Sequence, residues 1–302
     1  MTATTKAMDR PAPGDEFLQK RGADRRSLLF GLTLWACLAI SLVFLFFILA
    51  VIIQKGVARL DLNLITAPPS KIKPETSGVA PALWGSLWVT GMTALIALPL
   101  GISAAIYLEE YANPRKWWNR VIELNIQNLA AVPSIIFGIL ALAFVVRGPL
   151  SIGAVALAGA IALALLILPV IIITTREALR AVPREIRSGS LSLGATPWQT
   201  TWKQVLPSAI PGIATGAILS LSRAIGEAAP LILVGATTFV TFNPDGPMSR
   251  YTVLPVQIYN LVPQDRDEFR DLAYAAILLL LILLLAMNAV AIWLRNRFQR
   301  TW

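Results

Sequence analysis

The sequence predicts an all-α integral membrane protein with six transmembrane helices. Three observations carry that prediction. Only 14% of the 302 residues are charged and 56% are hydrophobic, against about 25% charged in a soluble globular domain. Mean hydropathy is +0.66. The apolar residues gather in several runs of about 20, the length that crosses a ~30 Å hydrocarbon core as a helix. The formal charge of +9 does not point to nucleic acid, because basic residues flanking membrane helices follow from topology.

Met1–Ser27 is polar and mixed in charge, and reads as a loose cytoplasmic tail. The first span, Leu28–Ile53, lacks an A-x-A cleavage pattern and reads as an anchor, not a signal peptide. Its Cys37, the single cysteine, is expected to be a buried thiol and has no disulfide partner within the chain. An external loop to Ala82 completes the segment 28–82. The core, 83–294, holds the other five spans: Leu83–Leu108, Ile126–Val146, Leu150–Thr174, Ala209–Ala236 and Leu272–Leu294. Residues 295–302 form a C-terminal tail.

Details sit within that frame. Glu109-Glu110-Tyr111 ends the second span. Trp117 and Trp118 beside Arg115 and Lys116 read as an interfacial belt in the connection. Asn125, Gln127 and Asn128 open the third span and either face a cavity or, the preferred reading, serve as packing and capping groups. Arg147-Gly148-Pro149 makes a tight hairpin into the fourth. Pro99, Pro133 and Pro169 lie inside spans, each a kink or a hinge. Gly212-x-x-x-Gly216 suits close helix packing.

Orientation follows from the basic residues. With a cytoplasmic N-terminus, the inside segments hold six (Lys6, Arg10, Lys20, Arg21, Arg25, Arg26), three (Arg115, Lys116, Arg120), five (Arg176, Arg180, Arg184, Arg187, Lys203) and three (Arg295, Arg297, Arg300). The outside segments hold only Lys55, Arg59, Lys71, Lys73, Arg147, Arg250, Arg266 and Arg270; Arg223 lies within a span. Both termini and the segment Arg184–Pro207 are therefore expected in the cytoplasm.

Enzyme chemistry has little to stand on. No histidine is present, which removes histidine metal sites and the usual triads. No GxxxxGK[ST], helix-opening GxGxxG or GxSxG pattern occurs. Active transport by this chain would need energy from a partner subunit or an ion gradient.

Two stretches carry the function. In Arg184–Pro207, Gly194 reads as a helix stop, and Thr196-Pro197 as a restart with Thr as N-cap and Pro at the first helical position. Two short helices around a glycine turn form a device for touching a partner. Trp198 and Trp202 lie four apart and can pack on one face. Leu191 and Leu193 can fill a partner groove. Arg184 and Arg187 either pair with acids on a partner or satisfy topology. The second stretch is Ser220-Leu-Ser-Arg-Ala-Ile-Gly-Glu-Ala-Ala-Pro230. Arg223 and Glu227 lie i, i+4 and can pair. An ionisable residue in a span is costly and marks a functional path, or else a structural ion pair. Pro230 and Gly226 beside it predict a kinked or interrupted helix lining a cavity. Ser220, Ser222, Arg223 and Glu227 are the candidate substrate path, and a guanidinium suits an oxyanion.

Arg184–Pro207 resembles the coupling loop of ABC-importer permeases, E-A-A-x3-G-x9-I-x-L-P. Ser188-Gly189-Ser190 stands at E-A-A, Gly194 at the glycine, and Leu206-Pro207 at the end, with Gln204 in place of Ile. Together with Leu98-Pro99-Leu100-Gly101, Tyr107–Tyr111, Gly194-Ala195-Thr196-x-Trp198 and Ser222–Pro230, the chain from about Leu83 to Leu294 is similar to the PstA-type family of phosphate-specific permeases. The resemblance implies a type I ABC importer permease fold (MetI-like) and a phosphate path at Arg223 and Glu227. It implies ATPase coupling through Ser188, Gly189, Ser190, Leu193, Gly194, Ala195, Thr196, Trp198, Leu206 and Pro207. It implies a homologous permease subunit of the PstC type, a cytoplasmic ATPase dimer of the PstB type and an extracytoplasmic phosphate-binding protein of the PstS type. No cofactor or metal is expected in this chain, ATP and magnesium being handled by the ATPase, and a bacterial or archaeal cytoplasmic membrane is the expected location. The alternatives are a permease for another oxyanion such as sulfate or molybdate, a secondary anion transporter using the Arg223–Glu227 pair directly, and a membrane scaffold. The coupling loop favours the first two readings over the last two.

Overall fold

The computed structural model describes residues 25–236 and 239–298, and among these every regular element is helical. In chain order they are α1 (Arg25–Gly56), α2 (Leu62–Thr66), α3 (Ala80–Ile106), α4 (Trp117–Ala130), α5 (Ser134–Ala141), α6 (Ala156–Arg180), α7 (Arg184–Ser192), α8 (Pro197–Thr200), α9 (Leu206–Gly226), α10 (Ala229–Val234), α11 (Leu254–Leu261) and α12 (Asp267–Phe298). Five helices are long and apolar enough to cross a membrane, or six if the bent pair α4 and α5 counts as one span.

The chain divides into two units at Val51. In the first, α1 carries exposed apolar side chains along its length, Phe44, Phe46 and Phe47 among them. Cys37 is exposed there, not buried as expected. Among the described residues of that unit no second element covers the helix, and its exposed apolar surface suits hydrocarbon.

The second unit is organised around α6. Its N-terminal half is rich in small residues (Ala156, Ala158, Gly159, Ala160, Ala162 and Ala164, all buried), which let neighbouring backbones approach closely. α3 and α9 pack on either side, and Val89, Leu163, Ile167, Ile171, Ala224 and Leu231 share one core. Thr93 donates across this interface to the Ala160 carbonyl at 3.2 Å. The first amides of α6, which have no partner inside the helix, reach the 242–253 segment: Ala156 N donates to Ser249 O at 3.0 Å and Leu157 N to Pro247 O at 2.8 Å. The α6–α9 contact depends on the paired glycines. A methyl group at Gly212 would sit 2.7 Å from the Ala178 Cβ, and one at Gly216 would run into the Thr174 side chain.

Three predicted spans need correction. Ile126–Val146 is not one straight helix. The chain is helical from Trp117, breaks at Ala131-Val132-Pro133, and resumes with a bend of 106°. Pro133 has no amide to donate and disfavours a helical Val132, and the helix breaks there. Trp117 and Trp118 thus lie on α4, edge to face at 5.9 Å, not in a connection. The fourth span begins at Ala156 rather than Leu150, because Ser151 and Gly153 hold positive φ (43° and 80°) in a longer turn than the expected hairpin. The fifth is shifted as well: a helix of 30 residues runs from Pro197 to Gly226 and stops there, short of Ala236. Pro99 and Pro169 lie inside helices that continue past them.

Gly216→Val is expected to cost on the order of 1–3 kcal/mol by overpacking, read as a lower unfolding temperature of the detergent-solubilised chain. Gly91→Ala, inside α3 with open space around it, should not lower that temperature, since alanine is the better helix former. An unaltered melt for Gly216→Val would show that α9 does not seat on α6 here.

Candidate functional site

The hairpin around Gly194 is built by local chemistry. α7 starts after Pro183 and carries Glu185 in its first turn, a favourable charge at a helix N-terminus. It ends at Leu193 because Gly194 takes φ +87°, a left-handed conformation that side chains with a Cβ resist. Gly194 N donates to Leu191 O at 3.0 Å and Ala195 N to Ser190 O at 3.2 Å, closing the end. Thr196 then starts the next helix with a reciprocal capping box. Its Oγ1 accepts from Gln199 N at 3.2 Å, and Gln199 Oε1 accepts from Thr196 N at 2.9 Å. Both expectations drawn for Gly194 and Thr196-Pro197 are met in the backbone.

The second helix is not a separate short piece. α8 passes through a π-helical turn, Thr201–Val205, directly into α9. Ser190 Oγ lies 2.9 Å from Thr200 Oγ1 and ties the arms of the hairpin. Trp198 and Trp202 pack with tilted rings 5.1 Å apart, and Tyr111 lies 6.4 Å from Trp198. Leu193 is 91% exposed at the tip, with Leu191 and Trp198 also exposed. Ser188, Gly189, Ser190, Leu193, Gly194, Ala195, Thr196 and Trp198 therefore share one protruding hairpin. Leu206 and Pro207 lie apart from it: Leu206 packs beside Val205 and Ala209, and Pro207 lines a cleft along α9.

Sequence reasoning missed a cluster behind the hairpin. Glu109, in the π-helical turn that ends α3, accepts from Arg180 Nε at 2.8 Å and Arg176 Nε at 3.1 Å. Arg176 also reaches Glu123 of α4 at 3.1 Å. Glu110 holds Arg187 of α7 at 2.8 Å. Arg187, read as a partner-facing or topological charge, instead pairs inside the chain. It also donates to the carbonyls of Val182 at 2.7 Å and Leu179 at 2.8 Å, where α6 ends. The available signal was the pair Glu109-Glu110 closing one apolar run while Arg176 and Arg180 close another on the same side.

The opposite end of the α8–α9 rod is interrupted. Glu227 is extended (φ −79°, ψ 123°), and α10 begins at Ala229 with Pro230 in its first turn. Arg223 Nε lies 3.4 Å from Glu227 Oε1, with side chains 50% and 19% exposed. A pair this long and this open contributes about 0–1 kcal/mol. Among the described residues the two Nη groups of Arg223 have no partner.

The four predicted path residues do not form one cluster. Ser220 is buried and donates back to Gly216 O at 2.8 Å. Ser222 is bonded to Asn288 of α12 and lines a cleft of about 640 Å³ whose wall includes Ile210, Ile218 and Arg295. Arg295 donates to Thr215 Oγ1 at 3.1 Å. Successive helical residues are turned by about 100°, so Ser222 and Arg223 look in different directions. Among the described residues no three His, Cys, Asp or Glu side chains gather as a metal site.

Residues 97–302 match the family described as the binding-protein-dependent transport system inner membrane component. The chain is 34% identical over 278 residues to the probable ABC transporter permease protein YqgI of Bacillus subtilis (strain 168), covering 88% of this chain and 92% of that one. It is 36% identical over 227 residues to the phosphate transport system permease protein PstA 1 of Mycobacterium tuberculosis (strain CDC 1551 / Oshkosh), covering 74% and 73%. Among solved structures, a chain of the MetNI methionine ABC transporter in inward-facing conformations shares its fold, with 21% identity and a TM-score of 0.60 over 72% of this chain and 95% of that one. The long apolar helices, the exposed glycine-turned hairpin and these matches agree: the chain belongs to the family of binding-protein-dependent transport system inner membrane components.

Proposed function

We propose that the chain is a transmembrane permease subunit of an ATP-driven importer of inorganic phosphate, forming half of the translocation pathway. The observation that carries this reading is the unbroken helix from Pro197 to Gly226. It begins at the exposed hairpin and ends beside the Arg223–Glu227 pair. At 1.5 Å per residue it spans about 40 Å between Pro197 and Arg223, so a push at the hairpin arrives at the interrupted helix as movement of one rod. Phosphate is supported by the relatives named as phosphate transport system permease proteins and by a guanidinium whose Nη groups have no partner among the described residues. Such a fork meets phosphate oxygens bidentately.

The remaining parts lie in other chains. A cytoplasmic ATPase dimer hydrolyses ATP with magnesium, and its closure displaces the hairpin. Leu193, Leu191 and Trp198 are the apolar docking surface, replacing the acid that Ser188 lacks. A homologous permease subunit supplies the other half of the path, and an extracytoplasmic binding protein delivers the anion. The assembly sits in the cytoplasmic membrane. Sulfate or molybdate is the second reading, since a guanidinium alone does not choose among oxyanions.

Arg223→Ala is expected to abolish uptake of labelled phosphate in cells while the complex is still made and assembled at the normal level. Unchanged uptake would remove Arg223 from the path, and uptake of sulfate but not phosphate by the unaltered protein would decide for the second reading. Gly194→Val, which puts a β-branched residue at φ +87°, should reduce the amount of ATPase that co-purifies with the permease. Equal co-purification would show that docking lies elsewhere.

A further inference from the structure

Arg187 joins three elements with one guanidinium. It stands on α7, on the arm of the hairpin that does not continue into a spanning helix. Its Nη2 reaches Glu110 Oε1 at 2.8 Å and its Nε reaches Glu110 Oε2 at 3.4 Å, a two-point grip on the end of α3. The same side chain donates to Leu179 O and Val182 O, at and just past the end of α6. Both partners are shielded, with side chains 23% and 11% exposed. Next to this grip, Glu109 holds Arg176 and Arg180 of α6, so the ends of α3 and α6 are themselves tied.

This geometry has a mechanical consequence. α8 connects the hairpin to α9 through continuous helix. α7 connects to α6 only through Ala181-Val182-Pro183, where Pro183 sets a non-helical corner (φ −54°, ψ 143°). A corner of single bonds lets α7 swing without moving α6. The Arg187 grip removes that freedom, because a planar guanidinium held at both a carboxylate and two carbonyls cannot pivot without breaking charge-assisted bonds.

We propose that Glu110 and Arg187 form an internal latch that makes displacement of the hairpin a displacement of α3 and α6 as well as α9. They are positioning residues for coupling and touch neither solute nor nucleotide. The proposal rests on the coupling role given to the hairpin above. The latch adds the route by which the movement reaches the two helices at the centre of the core.

The test uses the complete complex (permease pair, ATPase and binding protein) reconstituted in lipid vesicles, reading ATP hydrolysed per labelled phosphate moved. Glu110→Gln keeps the shape and removes the charge. The complex should assemble, retain its ATPase and hydrolyse ATP in response to loaded binding protein. ATP consumed per anion should rise about tenfold, the scale of an ordinary coupling free energy. Glu110→Asp, which keeps the carboxylate, should restore most of the coupling. Arg187→Lys, a cation without the planar fork, should raise the ratio as Glu110→Gln does. An unchanged ratio in Glu110→Gln overturns the latch, as does a parallel fall of hydrolysis and uptake, which would mark a docking defect. If neither Glu110→Gln nor Arg187→Lys assembles, the pair merely holds the fold and the proposal fails. Sulfate or molybdate replaces phosphate if the unaltered complex takes up no phosphate, so failure of the substrate reading leaves the ratio measurable.

Discussion

Three carboxylates and three guanidinium groups meet where α3 and α6 end, with one partner each from α4 and α7, and the seating of the exposed hairpin against those ends depends on their mutual neutralisation. Glu109, Glu110 and Glu123 face Arg176, Arg180 and Arg187 at 2.8–3.8 Å. Several of these side chains are poorly exposed, and a lone charge placed there would lose much of its hydration without compensation. Equal numbers of opposite charges, sharing oxygens between neighbours, make the arrangement tolerable. Its cost of disruption is accordingly collective: removing one member leaves another stranded in a low-dielectric site.

The second organising device is the control of helix ends by residues that cannot do what a helix interior requires. Pro133 withholds an amide and turns α4 against α5. Gly194 takes a left-handed backbone and folds α7 back on α8. Beyond Gly226, an extended Glu227 and the missing amide of Pro230 stop α9 and start α10. Between the last two breaks nothing interrupts the helix, Pro211 included. The result is a continuous rod seated on α6 through Gly212 and Gly216, with a defined break at each end. Continuity between two defined breaks is what a lever needs, and here the helix persists through Pro207 and Pro211 while Gly194 and the Glu227–Pro230 stretch set its limits.

Much of this was legible residue by residue, and the reason is distance along the chain. The Gly194 stop, the Thr196 cap and the Trp198–Trp202 contact all involve partners within four residues, so spacing and residue type specify them. The Gly212–Gly216 pair was readable as a packing face because small residues four apart mark one side of a helix. Hydrophobic run length found the spans, but it misplaced their ends: α4 starts at Trp117 because Asn119, Arg120 and Glu123 belong to a helix that is polar on one side, which a run-length criterion passes over. The Glu109–Arg176 and Glu110–Arg187 pairs join residues 67 and 77 positions apart, and the sequence offers only their shared side of the membrane, not which carboxylate meets which guanidinium.

Taken alone, the amino-acid sequence determined the class of molecule: helical, membrane-spanning, and carrying a glycine-turned hairpin on the more basic side. These are properties of composition and of interactions that close within one or two turns. The tertiary structure alone decided which side chains share a site. It sent Ser220 into the core, Ser222 to Asn288 in the α12 cleft, and left Arg223 half open beside Glu227, although the four are neighbours in sequence. It also turned Arg187 inward, because the free energy of a shielded charge is settled by whichever opposite charge the packing of distant helices brings within about 3 Å.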